Sequence, residues 1–251
     1  MTIPRVDTQI HASRYRTDGP KMDATVAASI DACVAQGITH AGILEHLGNW
    51  HHPVECLHDM MTEFRTLDPP IAVAMGMEVN TRDTDGTMDG TKEDRERVGL
   101  DFVLAESSST PGEITSVEDF IEYDHRCRMA ATAHDWIDVI VHPYTTQEKR
   151  LKRAGWEGDW SFDLIPEAFL DEWADALATH GTACEINTKN IAFFEEPKYL
   201  WFMKQLIERR VQIAIGSDAH HPDSIGTAEP IYSFCEQLGV PPDLIWWPLT
   251  S

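Results

Sequence analysis

The stretch VQIAIGSDAH, residues 211–220, reads as a β-strand with two unlike faces. Side chains alternate across a strand, so Val211, Ile213 and Ile215 share one face and Gln212, Ala214, Gly216, Asp218 and His220 the other. The first face is branched and apolar. The second is small, then ionisable towards its C-terminal end. Residues 71–80, IAVAMGMEVN, repeat the pattern: Ile71, Val73, Met75, Met77 and Val79 on one face, Ala72, Ala74, Gly76 and Glu78 on the other. A greasy face suits covering helices. A small inner face ending in ionisable groups is what a closed parallel barrel presents, with its chemistry at the C-terminal ends of the strands.

Working outward, helical and strand patterns alternate. Residues 23–36 place Val26, Ile30, Cys33 and Val34 on one helical face, with Gly37 as a stop. Further helices are expected at 53–64, from the Ser116/Asp119 capping pattern to about 133, at 166–180, 197–210 and 223–238. Strands are expected at VDTQIH, ITHAGILEH, IAVAMGMEVN, DFVLAES, DVIVHP, TACEIN and VQIAIGSDAH. This order predicts an α/β chain of seven mostly parallel strands. Without an internal repeat or low-complexity linker, residues 1–251 read as one domain.

Composition narrows the partners. The 251 residues include 42 Asp plus Glu against 20 Lys plus Arg, a formal charge of −22. Such a surface repels nucleic-acid phosphates and attracts divalent cations. No apolar run is long enough to span a membrane, and no signal-type segment opens the chain, so a cytoplasmic protein is expected. The five cysteines, at 33, 56, 127, 184 and 235, form no Cys-x-x-Cys pair and read as reduced core residues.

The ionisable residues gather at strand ends: Gln9 and His11 on the first strand, Glu45 and His46 on the second, Glu78 on the third, His142 on the fifth, Glu185 and Asn187 on the sixth, and Asp218 and His220 on the last. Imidazole and carboxylate are ligands for zinc, manganese and iron. Coming from separate strands, they meet only in a closed sheet, which predicts a shared metal site.

In this order the motifs QIHAS…TDG, ILEH, GMEVN, IVHP, CEINTKN and GSDAHH resemble the polymerase and histidinol phosphatase (PHP) superfamily, over residues 6 to about 239. The resemblance implies a distorted seven-stranded (β/α)7 TIM-like barrel, one to three divalent metal ions (Zn, Mn or Fe) and hydrolysis of a small phosphorylated substrate. It implies that His11, Glu78 and Asp218 share a first metal, that Glu78 bridges to a second held by His142, and that Asp18, His46 and His220 hold a third. Two positions depart from the pattern. Gln9 stands where the family has the first histidine of His-x-His, offering a carbonyl oxygen instead. Ser108 stands near the family's histidine after strand four, with Glu106 on the same strand face as a candidate substitute. Asp218, His220 and Glu78 are the expected catalytic groups. Arg14, Arg16, Lys189 and Asn187 are the expected contacts to substrate. The alternatives are an amidohydrolase-type metal-dependent hydrolase and a degenerate, non-catalytic binding protein of the same fold.

Three further signals read as structural. Residues 85–96 imitate an EF-hand loop, with Asp85, Asp89, Gly90 and Glu96 in place, but Lys92 occupies the apolar position and a strand precedes, so an acidic surface loop is expected. His51 and His52 read as a solvated loop near the barrel top. Trp246 and Trp247 are expected to cover the barrel or to meet another subunit.

Overall fold

In the computed structural model every strand runs parallel to its neighbour, and the sheet follows chain order: β1 (Val6–His11), β2 (His40–His46), β3 (Ala72–Asn80), β4 (Phe102–Glu106), β5 (Val139–Ile140), β6 (Ala183–Asn187) and β7 (Ile213–Gly216). The structure describes residues 3–48, 52–107 and 116–248, so Ser108 and His51 lie outside the described residues. Among the described residues, eight helices are interspersed with the strands: α1 (Val26–Ala35), α2 (Val54–Phe64), α3 (Lys92–Val98), α4 (Val117–Thr132), α5 (Gln147–Arg153), α6 (Glu167–His180), α7 (Pro197–Glu208) and α8 (Glu229–Leu238). The result is a nearly closed (β/α)7 TIM-like barrel. Its last seam is made largely by side chains. Thr8 Oγ1 donates to the Ile215 carbonyl at 3.0 Å, Ser217 N–H donates to Asp7 Oδ1 at 3.0 Å, and His11 N–H donates to the Ala219 carbonyl at 2.8 Å.

The two faces divide as the alternation requires. Leu44, Ala74, Phe102, Leu104, Val139, Val141, Ala183 and Ala214 fill the barrel. Met75, Met77, Val79, Ile213 and Ile215 join the larger core between barrel and helices. Trp246 closes the N-terminal end, its ring edge-on to Phe102 at 5.8 Å and its backbone N–H donating to the Ile213 carbonyl at 2.8 Å. Of the two roles expected for the Trp pair, Trp246 takes the covering one.

Several local readings shift. α1 starts at Val26 because the Thr25 side chain accepts from Ala28 N–H, and Val34 is 45% exposed, not inward. The stretch before α8 folds first as a short 3-10 turn, Pro222–Ser224. In the calcium-like segment, a capping box between Thr91 and Asp94 starts α3, which puts Glu96 on a helix while Arg82 takes the Asp89 carboxylate. That leaves an acidic turn and helix, not a ligand loop. All five cysteines are free and buried. Among the described residues no helix is long and apolar enough to cross a membrane.

β5 and β7 are shorter than their apolar runs. Each stops where a non-glycine residue enters the left-handed region: His142 at φ +29° and Asp218 at φ +56°. Such backbone costs on the order of 1–3 kcal/mol and persists only where surrounding contacts hold it. Both residues face the C-terminal end of the barrel.

Candidate metal centre

The first strand arrives at the site through a bulge. Its pairing with β2 slips by one residue between Asp7 and Ile10. Gly42 admits the slip, since a Cβ there would meet the Thr8 backbone at 2.8 Å. Gln9 within the bulge and His11 beyond it both reach the cluster at the top of the barrel.

His11 is the centre of that cluster. Its Nε2 lies 3.1 Å from Asp218 Oδ1 and 3.3 Å from Glu78 Oε2, and its Nδ1 lies 3.4 Å from Glu45 Oε1. Its ring stacks on His46 at 4.6 Å and on His220 at 4.1 Å. Glu78 reaches the other way, with Oε1 3.6 Å from His142 Nε2, and Glu106 Oε1 is 3.9 Å from His142 Nδ1. Among the described residues, three groups of donor atoms come close enough to hold a metal ion: His11, Glu78 and Asp218; Glu78, Glu106 and His142; and His11, His46 and His220. Glu78 belongs to two of them.

The donors have the chemistry such an ion requires. His11 Nε2, His46 Nδ1 and Glu78 Oε1 are buried polar atoms with no hydrogen-bond partner, an arrangement that costs about 1–3 kcal/mol per atom unless something fills it. Metal ligation needs neutral imidazole and ionised carboxylate. Against burial the surrounding carboxylates hold His11 and His142 above the usual imidazole range, and burial raises Glu106, so ligation at these three is coupled to release of protons, whereas the other donors are already in the ligating state. Burial holds His46 below its usual range, and burial with the neighbouring His11 pushes His220 down to about 4. Burial works against ionisation of Glu45, but His11 holds that carboxyl at about 2, and neighbouring histidines likewise keep Glu78 and Asp218 well below the usual carboxylate range. His220 Nδ1 is 2.9 Å from the Asp218 carbonyl, which can only accept. The proton therefore sits on Nδ1, leaving the Nε2 lone pair free.

The remaining expected residues divide. Gln9 spends its amide inside the protein: Nε2 donates to Glu78 Oε2 at 2.9 Å, and Oε1 accepts from Asn187 Nδ2 at 2.8 Å. It braces the cluster where the family's pattern has an imidazole ligand. Asn187 is fully buried, accepts from Lys189 N–H at 3.0 Å and caps the turn Thr188–Phe193, so it is not placed to meet a substrate. Asp18 does not join His46 and His220. Arg16 grips its carboxylate with two bonds of 3.0 Å, and His52 Nε2 lies 3.2 Å from Oδ1. His52 is buried rather than solvated, its Nδ1 accepting from Thr17 N–H at 3.1 Å. Arg14 turns outward towards the Met22 carbonyl, whereas Arg16 and Lys189 line the cavity above the cluster. Lys189 pairs with Asp218.

That cavity encloses about 720 Å³. Its walls include Arg82, Thr146, Lys149, Arg150 and Arg153, which the sequence reading did not select. Four of these five come from α5 and the turn before it. A seven-residue helix carries no apolar period, and the only available signal was the run QEKRLKR in an otherwise acidic chain.

Beneath the cluster lies Glu185. Its Oε2 accepts from His142 N–H at 2.5 Å and its Oε1 from Asn187 Nδ2 at 3.3 Å. Burial pushes its carboxyl up to about 7. This bond helps hold the left-handed backbone of His142.

A (β/α)7 barrel with an imidazole–carboxylate cluster at its C-terminal end is the fold that the resemblance to the PHP superfamily implies. Among solved structures, the chain is similar to the zinc-, L-histidinol- and phosphate-bound histidinol phosphate phosphatase of Lactococcus lactis subsp. lactis Il1403, at 18% identity and TM-score 0.56, covering 96% of this chain and 95% of that one. It is also similar to the structures of YwqE from Bacillus subtilis and CpsB from Streptococcus pneumoniae, described as metal-dependent tyrosine phosphatases, at 18% identity and TM-score 0.51, covering 93% of this chain and 87% of that one. Neither a protein-family model nor a curated protein sequence matches the chain.

Proposed function

We propose that the protein is a metal-dependent hydrolase, a phosphoesterase that releases phosphate from a small phosphomonoester. The observation that carries this reading is Glu78, whose carboxylate joins two adjoining donor groups at the strand ends beside buried polar atoms that nothing else satisfies. His11, Glu78 and Asp218 would hold one divalent ion (Zn, Mn or Fe), and Glu78, Glu106 and His142 a second. Glu106 thereby takes the place of the imidazole expected after strand four. Bound there, such ions supply Lewis-acid activation of water and neutralise charge on a phosphoryl group.

The chain's own residues do the rest. Asp218 and Glu78 fix the donor positions from opposite sides of the barrel. His220, neutral at physiological pH, presents its Nε2 lone pair to the cavity, where it can ligate or take up a proton. Lys189 and Arg16, each already on a carboxylate at the rim, are placed to exchange that partner for a phosphoryl oxygen. Gln9, Asn187 and Glu185 act from below by fixing Glu78 and His142.

The test is metal analysis of protein purified without chelator, joined to a screen of phosphoesters, amides and lactones with Mn²⁺ or Zn²⁺. Bound metal at about one or more equivalents and turnover of phosphomonoesters alone is the expected result. Absence of stoichiometric metal would overturn the reading, and turnover of amides or lactones instead would move the protein to the amidohydrolase class.

A further inference from the structure

Six cations line the cavity above the cluster, in a chain with twice as many carboxylates as basic groups. Four of the six are already matched: Arg16 with Asp18, Arg82 with Asp89, Arg150 with Asp124, and Lys189 with Asp218. Lys149 and Arg153 have no carboxylate partner among the described residues. They stand four residues apart on α5, one above the other on the same face. Lys152, three residues on from Lys149, pairs with Glu148.

Helix electrostatics accounts for only part of this. Basic residues favour the last turn of a helix, which suits Arg153, but Lys149 is third of seven residues, where the dipole disfavours a cation. The helix is also firmly seated. Asp124 of α4, almost fully buried, accepts from Arg150 at 2.6 Å, from Gln147 Nε2 at 3.0 Å and from Arg128 at 2.6 Å. Arg128 is in turn packed under the Tyr144 ring at 4.2 Å. The unmatched pair therefore sits on a fixed wall of the cavity. Lys149 is seven residues beyond His142, and Arg153 lies one helical turn, about 6 Å, further. The cavity has room for a drug-sized ligand, far more than one phosphoryl group fills.

We infer that the substrate carries a second anionic group, phosphate or carboxylate, received by Lys149 and Arg153 while the scissile phosphoryl group lies over the cluster. This rests on the phosphoesterase reading above. It disfavours leaving groups that carry an ammonium, which would face these two cations.

The experiment compares four phosphomonoesters with the Mn²⁺-loaded full chain: fructose 1,6-bisphosphate, 3-phosphoglycerate, β-glycerophosphate and O-phosphoethanolamine. KM should be lower by about tenfold or more for the first two than for β-glycerophosphate, and highest for the amine, since a charge-assisted contact of about 1.5 kcal/mol is worth about tenfold. Which of the first two has the lower KM distinguishes a phosphate from a carboxylate as the second group. In the Lys149→Ala/Arg153→Ala double variant the advantage should vanish, while the kinetics of β-glycerophosphate hold, which also shows that the variant is folded. Lys149→Glu/Arg153→Glu should reverse the preference. Equal KM values in the wild type, or a loss shared equally by β-glycerophosphate, would overturn the inference. If no ester is hydrolysed, the phosphoesterase reading fails, and calorimetric titration of fructose 1,6-bisphosphate and of inorganic phosphate still tests the second site. Tighter binding of the bisphosphate that the double variant abolishes supports it, and no such difference refutes it.

Discussion

Replacing Glu78 with glutamine probes the centre most directly, because one carboxylate serves two donor groups. The substitution is nearly isosteric, and its amide oxygen can still accept from Gln9 Nε2, so the barrel interior keeps its shape. Without metal the change removes a carboxylate that His46, His11 and His142 hold ionised against burial, so the melting temperature of chelated protein should fall somewhat. With metal the difference widens. An ion present at a hundredfold over its Kd stabilises the native state by about 2.7 kcal/mol, so two ions contribute about 5 kcal/mol. For a chain of this size each kcal/mol moves Tm by about 2–4 °C. Saturating Mn²⁺ should therefore raise the wild-type Tm by about 10–20 °C over chelated protein, and raise that of Glu78→Gln by a small fraction of this. Calorimetry in matched buffers, with metal content measured on the same samples, decides the matter. A Glu78→Gln protein with the wild-type metal content and Mn²⁺-induced rise would refute the assignment of Glu78 as a shared ligand. A wild type with no rise would refute the metal centre itself.

Other perturbations report on separate parts of the structure. Glu106→Ala should remove about one metal equivalent while sparing the ion on His11, read by metal analysis after dialysis. Asp124→Asn leaves Arg128 and Arg150 buried against a neutral amide and should cost about 3–5 kcal/mol in urea unfolding. The same carboxyl is held at about 2 by the two arginines against burial, below its ordinary 3.8. A depressed acid contributes stability above its unfolded pKa and loses it as pH falls, so wild type should lose about 2 kcal/mol between pH 4 and pH 2 that Asp124→Asn does not. In Gly216→Ala the new methyl would stand 1.9 Å from Glu185 Oε1 and 2.9 Å from Gln9 Cβ. The expected cost is about 1–3 kcal/mol or more, and unchanged stability would show that the interior is looser than described.

Alternation carried most of the fold into view from sequence. Ala74 and Ala214 inside against Met75 and Ile213 outside needed only the period of a strand, and the ionisable strand ends followed from it. What stayed hidden depends on neighbours. The β1 bulge exists because Gly42, thirty-odd residues on, leaves room for it, so no local pattern announces it. Gln9 was legible as a departure, but its role depends on Asn187 and Glu78 lying across the barrel. Asp18 was placed with His46 and His220 by motif order; it lines the same cavity, but its carboxylate is engaged by Arg16 two residues away and by His52, which motif order does not show. β5 and β7 end early because His142 and Asp218 leave the strand region of backbone space, which side-chain pattern does not encode. α5 escaped notice because a two-turn helix of charged residues has no hydrophobic face to read.

The charge at the floor of the cavity ties substrate binding to metal. Glu78, Glu106 and Asp218 point into a space whose dielectric is low. In the metal-free protein Lys189, and His11 and His142, which these carboxylates hold above the usual imidazole range against burial, offset that charge and leave an approaching phosphate little net attraction. Two divalent ions, with the ligating imidazoles neutral, leave the floor net positive, which attracts the same anion. Inorganic phosphate should therefore bind the Mn²⁺-loaded protein more tightly than the chelated one, and by reciprocity phosphate should tighten Mn²⁺ by the same factor. Titration of each ligand in the presence and absence of the other measures that factor from both directions. A chain that binds phosphate equally well without metal would place its anion site on the basic wall alone, and would separate the cation-rich rim from the chemistry beneath it.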